Sequence, residues 1–144
     1  MKNTTATKQA AKPRTTPVRK TARKIENCDE ALAPFVGALF RSITEAEGRQ
    51  VVIVCFGTTA ISGDSLGPMV GSILREKYDV PAFVYGTEAH SVNGKNMAQW
   101  MDFIRTVHGD ALIIAVDASL GHADKVGQIV LRDDGVCPAA IKGK

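Results

Sequence analysis

The stretch VVIVCFGTTAISGDSLGP, residues 51–68, decides the fold. Its first six residues are wholly apolar and rich in β-branched side chains. That is the profile of a strand covered on both faces, as in a parallel sheet under helices. Gly57, Gly63 and Gly67 then form a flexible loop. A helix is predicted to follow, from about Leu66 to Tyr78.

The rest of the chain continues this alternation. Upstream, Asn27 and Glu30 have the spacing of a capping box. Leu32, Phe35, Val36, Leu39, Phe40 and Ile43 then recur at helical spacing to about Glu47, with Gly48 as the stop. Pro34 is tolerable because it falls in or near the first turn. Downstream, PAFVY (81–85) reads as a second strand and GTEAHSVNG as a polar loop. A helix from about Lys95 to Val107 buries Met97, Trp100, Met101 and Ile104. ALIIAV (111–116) is a further buried strand, and VGQIVLR (126–132) alternates like a final, more exposed one.

Strands alternating with helices imply right-handed crossovers and a mostly parallel sheet. The expected fold is therefore α/β, with three αβα layers. In such sheets the loops at the carboxyl ends of the strands form the binding crevice. Here those loops carry Asp64, the His90 segment and Asp117, all on one edge of the sheet.

Charge divides the chain of 144 residues at about Lys24. Residues 1–24 hold eight basic residues, no acidic one and six threonines, so they cannot bury enough apolar surface to offset their ordering entropy. The net charge of +3 conceals a tail of +8 and, in residues 25–144, ten basic against fifteen acidic residues. The reading is a basic, disordered tail (1–24) and a single, mildly acidic α/β domain (25–144). No aromatic residue is interleaved in the tail to stack on bases. Nucleic acid or an anionic surface would thus meet only non-specific charge there, and neither is the expected partner. No apolar core follows the positive charges as in a secretory signal, and no apolar run reaches the ~20 residues of a membrane helix. Cys28, Cys55 and Cys137 are widely spaced and odd in number, as befits free thiols in a reducing cytoplasm.

Three chemistries compete for the loops. Gly63-Asp64-Ser65-Leu66 spells the nucleophile block of a serine-esterase class. In that class, however, the serine directly follows its strand, and a DxxH pair supplies the base. None of His90, His108 and His122 has an aspartate three positions earlier, and a serine without a base is a poor nucleophile. A nucleotide cradle is the second reading. The glycine spacing matches neither phosphate fingerprint, and Asp64 sits where a phosphate would approach. Carboxylates remain. Asp64 and Asp117 each follow a buried strand, and adjacent strands lie ~4.8 Å apart, so the two could face each other across a narrow gap. Like charges that close cannot both ionise easily, which supplies an acid and a base near neutrality. With His90 alongside, the pair could instead hold a divalent metal. Plainer roles stay open: Asp64 or Ser65 as a helix cap, Asp117 as a turn former, His90 as a loop residue.

GTTAISGDSLGPMVG (57–71) and IIAVDASLG (113–121) resemble, at this separation, the YyaC family of sporulation proteins. That family is similar to the germination protease of endospore formers and, more distantly, to the hydrogenase-maturation endopeptidases. The likeness covers roughly residues 27 to 138, and Tyr85-Gly86-Thr87 with His90 and Asn93 looks like the family's middle loop. The resemblance implies a phosphorylase/hydrolase-like, germination-protease-like domain with Asp64 and Asp117 as the catalytic pair. It implies a cytoplasmic place in an endospore former and a protein or peptide substrate. Ser65 and Gly57 join His90 and Asn93 as the substrate-binding set. The maturation endopeptidases bind nickel through a third, downstream ligand. His122 lies too close to Asp117 to be its equivalent, so no metal or other cofactor is assigned. The family continues beyond the point where this chain stops, so the domain is expected to be C-terminally incomplete. Two functions follow: a spore peptidase-like hydrolase working through two aspartates, or a non-catalytic binding or assembly protein of sporulating cells.

Overall fold

The structure is a computed structural model that describes residues 22–23, 29–132 and 135. In chain order the elements are strand β1 (Ala22–Arg23), helix α1 (Asp29–Glu45), strand β2 (Val51–Cys55) and a 3-10 turn (Ser62–Asp64). Helix α2 (Leu66–Lys77), strand β3 (Phe83–Tyr85), helix α3 (Met97–His108) and strand β4 (Leu112–Val116) follow. A second 3-10 turn (Ala123–Lys125) leads to strand β5 (Ile129–Val130).

The apolar run at 51–56 is the centre of the fold. A three-stranded parallel sheet has the order β3-β2-β4, with Val54 opposite Tyr85 on one side and Ala115 on the other. Alternation along β2 separates its two faces. Val52, Val54 and Phe56 form a buried cluster with Val92 and with Ile104 of α3, and Met97, Trp100 and Met101 pack against it. Cys55 points to the other face, where a Cβ on Gly71 of α2 would lie 3.3 Å from its own. Thus α3 and α2 cover opposite faces, which makes the fold α/β. Val52 and Val54 are fully buried, each contributing about 1.5–3 kcal/mol of transfer free energy. Tyr85, Trp100 and Phe103 add an aromatic cluster, with Trp100 and Phe103 edge-on at 5.9 Å.

Several elements depart from the sequence reading. α1 ends at Glu45 rather than Glu47, because Glu47 and Gly48 both take left-handed backbone angles, φ 52 and 79. Pro34 is the sixth helical residue and not in the first turn, so its ring removes one ladder hydrogen bond to Glu30. The expected cap at Asn27 lies outside the described residues. The apolar stripe of α1 is only partly covered, with Phe40 68% and Val36 57% exposed. β4 is an edge strand instead of a fully buried one, since among the described residues nothing pairs with its outer side. The strand expected over 126–132 shrinks to Ile129–Val130. The turn at Ala123–Lys125 and the positive φ of Gly127 occupy the preceding residues. β5 does not join the main sheet and pairs antiparallel with β1, Ala22 opposite Val130. Most of the basic tail lies outside the described residues, as do Cys28 and Cys137. No helix among the described residues is long and apolar enough to cross a membrane.

Candidate functional site

The site is assembled where β2 ends. At Gly57 the backbone turns to φ 135, and a Cβ there would lie 2.1 Å from the carbonyl oxygen of Asp64. Only glycine accepts both that angle and that approach. The loop leaving Gly57 closes on itself: the Thr58 amide donates to the Asp64 carbonyl at 2.9 Å, and the Asp64 amide to the Ile61 carbonyl at 2.9 Å. The seven-residue spacing from Gly57 to Asp64 is thus the circumference of this loop. Three residues on, Gly67 lets α2 settle against the end of β2, since a Cβ there would come 2.0 Å from the Phe56 carbonyl oxygen.

Asp117 arrives from the neighbouring strand. Val116 pairs with Cys55, and the Phe56 amide donates to the Val116 carbonyl at 2.8 Å. The next residue, half-buried Asp117, therefore stands beside the start of the Asp64 loop. Burial holds the Asp117 carboxyl above the usual carboxylate range, and the negative charge of Asp64 raises it further. A hydrogen bond from the Ala118 backbone pulls in the opposite direction. The adjacency of β2 and β4 expected from the sequence is present, and it brings the two carboxylates within electrostatic reach of each other.

The middle loop takes the third side. Val92 forms an isolated parallel bridge with Phe56, and its carbonyl accepts from the Gly57 amide at 2.8 Å. His90 is exposed and held by reciprocal bonds with Thr87: its amide donates to the threonine hydroxyl at 3.1 Å, and its carbonyl accepts from the Thr87 amide at 3.0 Å. Both ends of the Asn93 side chain are engaged, the oxygen by the Lys95 amide and the nitrogen on the Ser91 hydroxyl. Asn93 thereby shapes the entry into α3, whose first amide donates to its carbonyl at 2.8 Å.

Ser65 occupies the cap position of α2 but does not cap it; its hydroxyl donates backward to the Ser62 carbonyl at 2.9 Å. Its own backbone is already helical, φ −86 and ψ −13, which turns the hydroxyl away from the free amides of the first turn. Asp64 belongs to the preceding 3-10 turn, so the plain capping role fails for it as well. No three His, Cys, Asp or Glu side chains among the described residues are grouped closely enough to share an ion. Asp64, Asp117 and His90 are thus not gathered as a ligand set. Cys55 is no candidate nucleophile, because burial pushes its thiol up to about 11.

One polar cluster escaped the sequence reading. The buried ring of His108 lies between the Tyr85 hydroxyl, 2.7 Å from Nε2, and the Gln50 side-chain oxygen, 3.0 Å from Nδ1. The Gln50 oxygen can only accept, so Nδ1 carries a proton, and in the neutral ring Nε2 accepts from the Tyr85 hydroxyl. The legible signal was that His108 continues the helical stripe Met97, Trp100, Met101, Ile104, and so had to face the core.

A family model described as "Protein of unknown function (DUF1256)" matches residues 23–144. The chain is also 35% identical over 117 residues to the "Uncharacterized protein YyaC" of Bacillus subtilis (strain 168). That match takes in 81% of this chain but 57% of the relative, so the chain spans little more than half the relative's length. No solved structure matches.

Proposed function

The chain belongs to the DUF1256 family, and from that premise we propose that it is a spore-associated peptidase-like hydrolase working through Asp64 and Asp117. The observation that carries the reading is the raised proton affinity of Asp117, caused first by burial and then by the charge of Asp64 across the adjacent strand end. A carboxyl whose neutral form is favoured by burial, standing beside a second carboxyl, supplies the parts of an acid–base pair. In the proposed step Asp64 takes a proton from water as its oxygen attacks the peptide carbonyl carbon. Asp117 delivers its proton to the departing amide nitrogen, the C–N bond breaks, and a carboxylic acid and an amine are released. Exchange with solvent returns each carboxyl to its starting state.

Sporulation, a cytoplasmic setting and kinship with the germination protease enter this proposal through the sequence resemblance at residues 57–71 and 113–121, which is a weaker warrant than the site. The test is to incubate the protein with a small acid-soluble spore protein and search for new termini by mass spectrometry. Wild type should generate them, and Asp64→Asn and Asp117→Asn should each slow their appearance by about 10²–10⁴-fold, the usual range for a lost general acid or base. Equal behaviour of wild type and both variants would refute catalysis by this pair and leave the non-catalytic binding role.

A further inference from the structure

Among the described residues the sheet has a second open edge, that of β3, where no strand pairs with the outer side. A groove of about 590 Å³ runs along it, with Leu74 and Tyr78 from the α2 side and Trp100 from α3. Its floor is β3 itself, where Phe83 is 47% exposed. Charges stand at one end only, Arg75 and Asp79, while the other end runs past Thr87 to His90, on the loop that bridges the end of β2 at Phe56.

We propose that this groove takes an extended segment of the protein substrate as an added strand on β3, and that it serves as a recognition site remote from the bond that is cut. The inference rests on the peptidase reading above. A strand edge presents unpaired amides and carbonyls at fixed spacing, which bind any extended backbone, and flanking pockets select alternate side chains. The lining chooses the occupant: apolar residues at alternate positions over Phe83 and Trp100, with a polar residue level with the adjacent Arg75 and Asp79. A lipid tail would leave the edge amides unpaired, and nucleic acid would meet only one cation there.

The distance to the carboxylates sets a spacing. The bound strand would lie three strand intervals from β4, about 14 Å at ~4.8 Å per interval. Crossing the carboxyl end of the sheet at ~3.3 Å per residue takes about four residues. Recognition and cleavage should therefore be separated by at least about four residues of substrate.

A random dodecapeptide phage library panned on the full-length Asp64→Asn/Asp117→Asn protein tests this, because bound peptides survive uncut. Enriched peptides should alternate apolar residues and slow amide exchange at residues 83–85. Methylating alternate backbone nitrogens should weaken binding tenfold or more in one register and leave it unchanged in the other. Tyr78→Asp, at a side chain 62% exposed and so tolerated by the fold, should weaken binding by a similar factor. Protection confined to Leu112–Val116, equal effects of the two methylation registers, or no enrichment would overturn the docking site. Peptides that bind at β3 while wild type cleaves no protein would leave the groove standing and refute the peptidase. Cleavage unaffected by Tyr78→Asp would do the reverse.

Discussion

Two glycines inside helices should respond in opposite directions to the same substitution. Gly71 lies in the middle of α2, Gly37 in the middle of α1. In both, alanine removes the excess backbone freedom of glycine in the unfolded chain and favours the helix by about 1 kcal/mol. At Gly37 nothing opposes this gain, since the nearest atom to a new Cβ is the end of the Arg41 side chain at 3.7 Å. Gly37→Ala should therefore stabilise by about 0.5–1 kcal/mol. At Gly71 the new Cβ would lie 1.9 Å from the carbonyl oxygen of Gly86, 3.0 Å from its carbon and 3.3 Å from the Cys55 Cβ.

The obstacle at Gly71 is backbone at the end of β3, and Gly86 is itself pinned: its φ is 86, and a Cβ there would come 1.9 Å from the Cys55 carbonyl. No side chain can swing aside, so α2 must lift off the sheet by about 1 Å or more. Forced overpacking of this kind costs about 1–3 kcal/mol. The clash offsets the helical gain, and Gly71→Ala should lose up to about 2 kcal/mol net, at roughly 3–5 °C of melting temperature per kcal/mol for a domain of this size. Urea titration of wild type and both variants gives the two signs. A Gly71→Ala midpoint at or above wild type would refute the claim that α2 is seated by backbone contact at this residue.

Two further outcomes follow from the polar groups. Asp64→Asn should lower the titration midpoint of Asp117, followed by carboxyl-carbon NMR, but not to the ordinary value, because burial is the larger cause and remains. The folded state holds the Asp117 proton more tightly than the unfolded chain does, so the stability this group supplies is complete below its unfolded pKa and is lost as pH rises through the folded one. Asp117→Asn should accordingly gain stability over wild type as pH climbs from about 4 and then level off; a gap that narrows with rising pH would contradict the sign. Tyr85→Phe should cost about 1–3 kcal/mol in urea unfolding by leaving buried Nε2 of His108 without a donor. A loss no greater than at an exposed tyrosine such as Tyr78 would show that the cluster carries no stability.

Legibility followed the range of the interactions. The run at 51–56 announced a strand buried on both faces because every one of its residues is apolar, and the structure makes it the central strand. The stripe from Met97 to Ile104 announced α3 for the same reason, that one face of a helix repeats every turn. Asp64 and Asp117 could be placed on one edge of the sheet because each follows a strand, and parallel strands end together. The failures lie where the decisive partner is remote in sequence. Nothing in ALIIAV tells an edge strand from a central one, since the difference is a remote neighbour, and among the described residues β4 has one on a single side. Ser65 looks like a cap by residue type, but the preceding 3-10 turn fixes its backbone before the helix can use the hydroxyl. The bond between Gln50 and His108 spans 58 positions, and no local pattern encodes it.

The glycines of this chain join the two questions that the sequence raised separately, how the fold is held and what the carboxylates do. Gly67 and Gly71 let α2 approach the sheet to backbone contact, and Gly57 lets the Asp64 carbonyl press against the end of β2. Asp64 has no covalent tie to Asp117 nearer than fifty residues; its position relative to that carboxyl is set by how closely this loop and helix seat. A lifted helix would therefore weaken the Coulombic cause of the Asp117 shift while leaving burial of Asp117 on its own strand largely in place. The Gly71→Ala variant should thus lower the Asp117 midpoint in the same direction as Asp64→Asn, though by less, without altering any ionisable group. Residues that look like packing details at 57, 67 and 71 would then set how strongly the two carboxylates couple.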